Sequence, residues 1–220
     1  MLVLAVDTSS AAVTAAILEV SGDAVELRAE RVRINARGHG EFLAPNIAAC
    51  LAEAGALPGE LGAIVAGTGP GPFTGLRVGL VTAAVMADVL GIPAYGVCSL
   101  DAIAPSAQDE GELIVATDAR RKEVYWARYD AAGERTDGPH VSRPSDVLTA
   151  AARDMAGAGA RLYEDELGLN LIGTDYPSAV ALVARAAGRI RAGAQSETLT
   201  PLYLRRPDAV PSPTSKPVSQ

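Results

Sequence analysis

Apolar and polar positions change period several times along the chain. Leu2–Val6 is an unbroken apolar run ended by Asp7, the pattern of a strand buried on both faces. Ala11–Val20 follows the polar stretch Asp7-Thr8-Ser9-Ser10 and is predicted as its hairpin partner. A third strand is expected within Val25–Ile34. From Gly38 to Gly55 the period lengthens: Phe42, Leu43, Ile47, Cys50 and Leu51 recur at helical spacing. Pro45 is expected near the first turn of that helix, where a missing N–H is tolerated. Ala63–Gly67 predicts a short strand, Gly75–Leu90 a helix stopped by Gly91 and Pro93, and Ala94–Val97 another strand.

The second half echoes the first. Leu2-Val3-Leu4-Ala5-Val6-Asp7 lines up with Leu113-Ile114-Val115-Ala116-Thr117-Asp118, and at the same offset Val13 meets Val124 and Ala16 meets Ala127. Both stretches read as strand, aspartate-bearing turn, strand, which suggests a duplicated α/β domain. Beyond Glu123–Tyr129, a further strand, the pattern predicts a helix over Pro144–Ala152, a weak strand at Leu169–Gly173, a helix over Pro177–Arg191 and a last strand at Leu202-Tyr203-Leu204. Residues 207–220, rich in Pro, Ser and Thr, are expected to be a disordered tail. The expected division is 1–105, 106–206 and the tail.

Composition narrows the function classes. Hydrophobic residues make up 49% of the 220 residues but aromatics only 4%, so the core must be built from Ala, Val, Leu and Ile. The formal net charge is −7, a poor match to a chain that grips nucleic acid unaided. Cys50 and Cys98 lie far apart without metal spacing, as free thiols of a reducing compartment would. The amino terminus lacks the basic region of a signal peptide, and no apolar run reads as long enough to span a bilayer; a cytoplasmic location is expected.

Candidate chemistry centres on Gly69-Pro70-Gly71-Pro72-Phe73-Thr74-Gly75-Leu76-Arg77, between a strand and a helix. A helix start reached through such a turn gathers N–H groups and suits an anion or a close backbone neighbour. The loop lacks the Gly-Lys-Ser/Thr of a phosphate loop, and two prolines remove donors, which favours a structural turn. Asp7, Thr8, Gly69, Gly71, Thr74 and Gly75 therefore form either a structural turn or a vestigial nucleotide site. Asp7 and Asp118 could organise a metal or simply close Asx turns. His39 and His140 have no Cys or His partner at ligand spacing, and no nucleophile–base pair can be assembled. His39 is either a polar capping group or a partner contact. The helix Gly75–Leu90 is apolar almost all round and needs cover on two sides. A sheet covers one; the other needs a neighbouring helix or a second protein.

Taken together, several segments resemble the TsaB (YeaZ) family, the dimerisation subunit of the bacterial tRNA threonylcarbamoyladenosine machinery. They are Leu4-Ala5-Val6-Asp7-Thr8-Ser9, Gly69–Gly79, Val97-Cys98-Ser99-Leu100-Asp101-Ala102, Asp118-Ala119-Arg120-Arg121-Lys122-Glu123-Val124-Tyr125 and Pro201-Leu202-Tyr203-Leu204-Arg205. The resemblance runs along nearly the whole chain; Pro72, where the family often has Ser, departs from it. It implies a duplicated actin-like/sugar-kinase-like (ASKHA) α/β fold, two subdomains of mixed sheet with flanking helices. It also implies a scaffold that binds the catalytic paralogue TsaD, with the ATPase TsaE joining and tRNA bound through the complex, and that homodimerises when alone. Helices 38–55 and 75–90 would supply the docking face, through His39, Phe42, Leu43, Asn46, Ile47, Val81, Ala84, Val85 and Asp88. The catalytic paralogue carries a His-x-x-x-His metal pair where this chain has Ser99 and Ile103, so neither catalysis, a metal nor a cofactor is expected here. The alternative is an actin-fold ATPase or kinase with a degenerate nucleotide site.

Overall fold

The structure, a computed structural model, describes residues 1–104, 111–149 and 151–205. Among these residues, ten strands form two five-stranded sheets. The first contains β1 (Leu2–Asp7), β2 (Ala12–Ser21), β3 (Ala24–Ile34), β4 (Leu61–Gly67) and β5 (Ala94–Val97), in the order β3-β2-β1-β4-β5. The second contains β6 (Glu112–Asp118), β7 (Val124–Tyr129), β8 (Arg135–Ser142), β9 (Ala152–Ala156) and β10 (Asn170–Leu171), in the order β10-β9-β6-β7-β8. Each sheet is an antiparallel three-strand meander continued by two parallel strands, so the internal echo is a true repeat of topology.

The strongest apolar runs take the central places. β1 and β6 are hydrogen-bonded on both edges, and their apolar side chains are buried on both faces. The outer strand β3 is instead studded with Glu26, Arg28, Glu30, Arg31 and Arg33, charges that discourage edge-to-edge pairing.

α1 (His39–Glu53) connects β3 to β4, and α2 (Phe73–Leu90) is the crossover from β4 to parallel β5. Together they cover one face of the first sheet, where Leu4, Val6, Leu43, Ile47, Leu76 and Leu80 meet. In the second half α3 (Ala158–Leu162) and α4 (Glu164–Leu167) are single turns. The other face of the first sheet is covered by α5 (Ala179–Arg191), the last helix among the described residues, through Leu182, Val183, Ala186 and Ile190 against Val3, Ala5, Ala16 and Leu18. Leu100 and Ile103 pack with Leu113, Val115 and Tyr129, and Tyr129 Oη donates to Asp101 (2.8 Å), so the two halves share a core at this junction.

Several expectations need correction. Pro144–Ala152 is not a helix: Pro144–Asp146 form one 3-10 turn and Ala152 opens β9, paired in parallel with β6. β8 is a strand the apolar pattern does not predict, because its residues are polar and it edges the sheet. Leu202–Leu204 is no strand but part of an extended strap. Pro45 lies seven residues into α1, past its first turn, and is accommodated inside the helix. α2 begins two residues earlier than expected and has a mean hydropathy of 1.6 over 18 residues, enough by length and composition to cross a membrane. Its place between β4 and β5, with Leu76, Leu80 and Ala83 buried, makes it a core crossover helix.

The chain returns to its first half beyond α5. There Glu197 N–H donates to Ala94 O (2.8 Å), Gly96 N–H to Glu197 (3.0 Å) and Leu202 N–H to Thr68 O (2.8 Å). This strap covers the open edge of β5. Packing thus assigns residues 179–202 to the first sheet although they follow the second in sequence. The expected boundary after residue 105 and the expected tail lie outside the described residues.

Candidate functional site

Two places gather the residues singled out by the sequence: the turn after β1 and the outer face of α2. At the turn, Asp7 is 1% exposed. Its Oδ1 accepts from Ser9 N–H (2.9 Å) and Ser9 Oγ–H (2.8 Å), and its Oδ2 from Ser99 Oγ–H (2.6 Å). Burial pushes its pKa up; these hydrogen bonds and nearby His39 pull the other way. Ser99 Oγ in turn accepts from Gly69 N–H (3.1 Å), and Ser99 N–H donates to Gly69 O (2.7 Å). Ser99 thus supplies a hydroxyl that fastens the Gly69 loop to Asp7, and Ile103 is a buried alkyl group.

The glycines serve close approach. A Cβ at Gly71 would lie 2.1 Å from Ser9 O, and one at Gly67 1.7 Å from Asp7 Oδ2. Thr8 Oγ1 donates to Gly75 O (2.8 Å) and accepts from Gly79 N–H (2.9 Å), so the β1–β2 turn grips the first turns of α2. Asp7, Thr8, Gly69, Gly71 and Gly75 are therefore one assembly, in which the Asp7 carboxyl and Thr8 hydroxyl groups are engaged within the turn. Thr74 stands apart, exposed on α2.

Asp118, the counterpart of Asp7, accepts from Arg120 N–H within its own turn (2.7 Å). Between the two turns lies a cleft of about 200 Å³ lined by Ser10, His39, Pro72, Thr117, Arg120 and Tyr176 among others, below the ~300–1,000 Å³ of typical ligand sites. Thr117 Oγ1 there is buried without a hydrogen-bond partner.

On α2, Val81, Val85 and Val89 are 58%, 56% and 78% exposed and follow one another at four-residue spacing. Ala84 and Asp88 are exposed beside them. On α1 the expected face must be corrected. Leu43 and Ile47 are 1% and 5% exposed because they point under α2 into the sheet, and His39 is buried with Nε2 2.7 Å from Ser10 O. Phe42 and Asn46 remain half-buried; Arg33 lies over the Phe42 ring (4.6 Å) and Asn46 donates to Val13 O (3.2 Å). Val89, absent from the expected face, belongs to the stripe; its spacing from Val81 and Val85 is the signal that could have found it. An open groove of about 890 Å³ adjoins the stripe, sharing Ala84 and Asp88 with it and running on past Ile92, Tyr95 and Glu197.

The start of α2 holds a second group that sequence reasoning missed. Tyr203 of the strap stacks on Phe73 (4.9 Å between centroids), Arg77 lies over Phe73 (4.1 Å), and Arg77 Nε–H donates to Tyr203 Oη (2.8 Å).

This arrangement has relatives. Residues 33–205 match the family model described as "TsaD: tRNA N6-adenosine threonylcarbamoyltransferase". The chain is similar to the tRNA threonylcarbamoyladenosine biosynthesis protein TsaB of Haemophilus influenzae, with 29% identity over 92% of each chain. It is also similar to the YeaZ structure from Pseudomonas aeruginosa, with 29% identity and a TM-score of 0.75 over 92% of this chain and 99% of that one. The chain belongs to the TsaB (YeaZ) family. An uncharacterized protein of Mycobacterium tuberculosis is 48% identical over 95% of this chain and 94% of its own length. The actin-like fold also appears in an activator of 2-hydroxyisocaproyl-CoA dehydratase from Clostridium difficile, at 10% identity and a TM-score of 0.53, a likeness of fold alone.

Proposed function

We propose that this TsaB-family chain is the non-catalytic scaffold of the tRNA N6-threonylcarbamoyladenosine complex. In this reading it forms a heterodimer with a TsaD-type catalytic subunit and supports transfer of the threonylcarbamoyl group to the adenosine next to the anticodon. TsaE and tRNA join the assembled complex, which works in the cytoplasm, and a homodimer through the same face forms when the chain is alone. The observation that carries the reading is the valine stripe of α2, an apolar face on a helix whose other side is already packed. Covering each half-exposed valine contributes about 1 kcal/mol, so the stripe with Ala84 and Phe42 can anchor a helix-on-helix interface. Support for the non-catalytic part comes from the β1–β2 turn, where the Asp7 carboxylate is consumed by Ser9 and Ser99.

The test is threonylcarbamoyl transfer from threonylcarbamoyl-adenylate to tRNA by a TsaD-type enzyme with TsaE and ATP, with and without this chain and its Val85→Glu variant. Turnover should need the wild-type chain and fall at least tenfold with the variant, whose own stability should shift by less than ~0.5 kcal/mol because Val85 is exposed. Equal turnover in all arms sinks the proposal.

A second reading, a degenerate actin-fold ATPase, draws on the unpartnered Thr117 hydroxyl in the cleft between the two turns. ATP hydrolysis by the chain alone, abolished in Asp7→Ala, would favour it.

A further inference from the structure

Among the described residues, Arg120, Arg121 and Lys122 are the non-glycine residues with positive φ, at 62°, 56° and 60°. Glu123 N–H donates to Arg120 O (3.0 Å), so Arg121 and Lys122 are the two central residues of the tight turn joining β6 to β7. Positive φ at both centres is the requirement of a type I′ turn, which Asn-Gly or Asp-Gly satisfies without strain. Here long cationic side chains stand in that strained position. Strain of this kind persists only where the surroundings enforce it, and it clusters at functional sites.

The surroundings do enforce it. Ala119 N–H donates to Glu123 O (3.0 Å), Asp118 accepts from Arg120 N–H (2.7 Å), and Arg205 of the strap donates to Ala119 O (2.8 Å) while pairing with Glu123. The two acids flanking the turn are each matched by an arginine, Asp118 by Arg120 (3.3 Å) and Glu123 by Arg205. Arg121 and Lys122 stay exposed at the tip. A rigid cationic tip thus stands out from a chain whose net charge is −7.

We infer that the β6–β7 turn is an RNA contact, with Arg121 and Lys122 meeting backbone phosphates. The inference rests on the tRNA-modification reading and adds which residues of this chain touch the tRNA. A protein partner fits the tip less well: Arg-Arg-Lys offers no apolar or aromatic anchor, and lysine is depleted at the centres of protein interfaces. Phosphates need only positioned cations, and a stiff turn holds them with little entropy left to lose.

The test is fluorescence anisotropy with a labelled, unmodified tRNA transcript, titrated with the full chain alone and together with a TsaD-type subunit, at several salt concentrations. The variant is Arg121→Asn with Lys122→Gly, the pair the turn geometry prefers. Its melting temperature is measured alongside; where it falls, Lys122→Gly alone is the variant, so that a binding defect is not put down to misfolding. Affinity for tRNA should fall about tenfold, and the slope of log K against log salt should shrink by roughly 1 to 2, one for each phosphate the variant leaves unneutralised. Unchanged affinity and slope overturn the inference, as does a wild-type chain that contributes nothing to tRNA binding in either setting. A variant that keeps tRNA but loses a protein subunit overturns it in favour of an acidic protein partner. If the wild-type chain binds tRNA through this turn but neither associates with the TsaD-type subunit nor supports transfer, the turn stands and the scaffold reading falls.

Discussion

The two halves share one strand order and use it differently. The first hangs two long helices on one face of its sheet and borrows α5 for the other; the second makes do with two single-turn helices. Their aspartate turns diverge in the same way. The Asp7 turn is buried, knotted to Ser99 and locked onto α2, whereas the Asp118 turn is exposed, cationic and held in positive φ. Duplication supplied a second copy of the scaffold. Without long helices to anchor, the turn of that copy is free of packing duties and can take side chains chosen for charge.

The sharpest way to break this comparison is at α5. Leu182 is fully buried against the first sheet, so Leu182→Ala should cost about 2–5 kcal/mol in urea unfolding. The loss should register in probes of the first sheet. A variant that loosens only the surroundings of Trp126, in the second sheet, would show that α5 belongs energetically to the other half.

Next comes the locked turn. Gly71→Ala would drive a Cβ to within 2.1 Å of Ser9 O, a backbone atom that cannot step aside. About 1–3 kcal/mol of destabilisation is expected, read as a lower midpoint in the same titration. Indifference to the extra methyl would mean that the loop is not clamped to the β1–β2 turn.

The smallest effect concerns charge. Burial raises the Asp7 pKa from its usual value of 3.8, so the folded state holds that proton more tightly than the unfolded chain. The contribution of this group to stability is therefore complete below about pH 4 and declines as pH rises through the folded pKa. Asp7→Asn should remove the decline while keeping most of the hydrogen bonds, flattening the melting temperature above about pH 4. An unaltered pH profile would show that the hydrogen bonds, not burial, set the state of this carboxyl group.

Much of the fold was legible. Strands such as Leu2–Val6 and Leu113–Asp118 announce themselves because a central strand buried on both faces must be apolar throughout. β8 was silent because an edge strand with one wet face tolerates Arg, Thr, Asp and His. The Pro144–Ala152 helix was a false reading of a proline start signal that supports a single turn as readily as a helix.

The site was half legible. The α2 stripe follows from spacing alone. Which α1 residues stay accessible did not, since the packing of α2 and the sheet decides that Leu43 turns inward while Phe42 does not. Positive φ at Arg120, Arg121 and Lys122 leaves no trace in residue names; the only clue was the run of cations itself.

The return of α5 to the first sheet has a consequence for how the protein is made. Val3, Ala5, Ala16 and Leu18 leave the ribosome early, but the helix that shelters them is translated only after the whole second sheet. During that interval the nascent first half presents one dry face and one naked one. Its completion waits until the second sheet has been made, so a transcript cut short before residue 179 yields a sheet with an uncovered hydrophobic side, a ready substrate for chaperones and proteases.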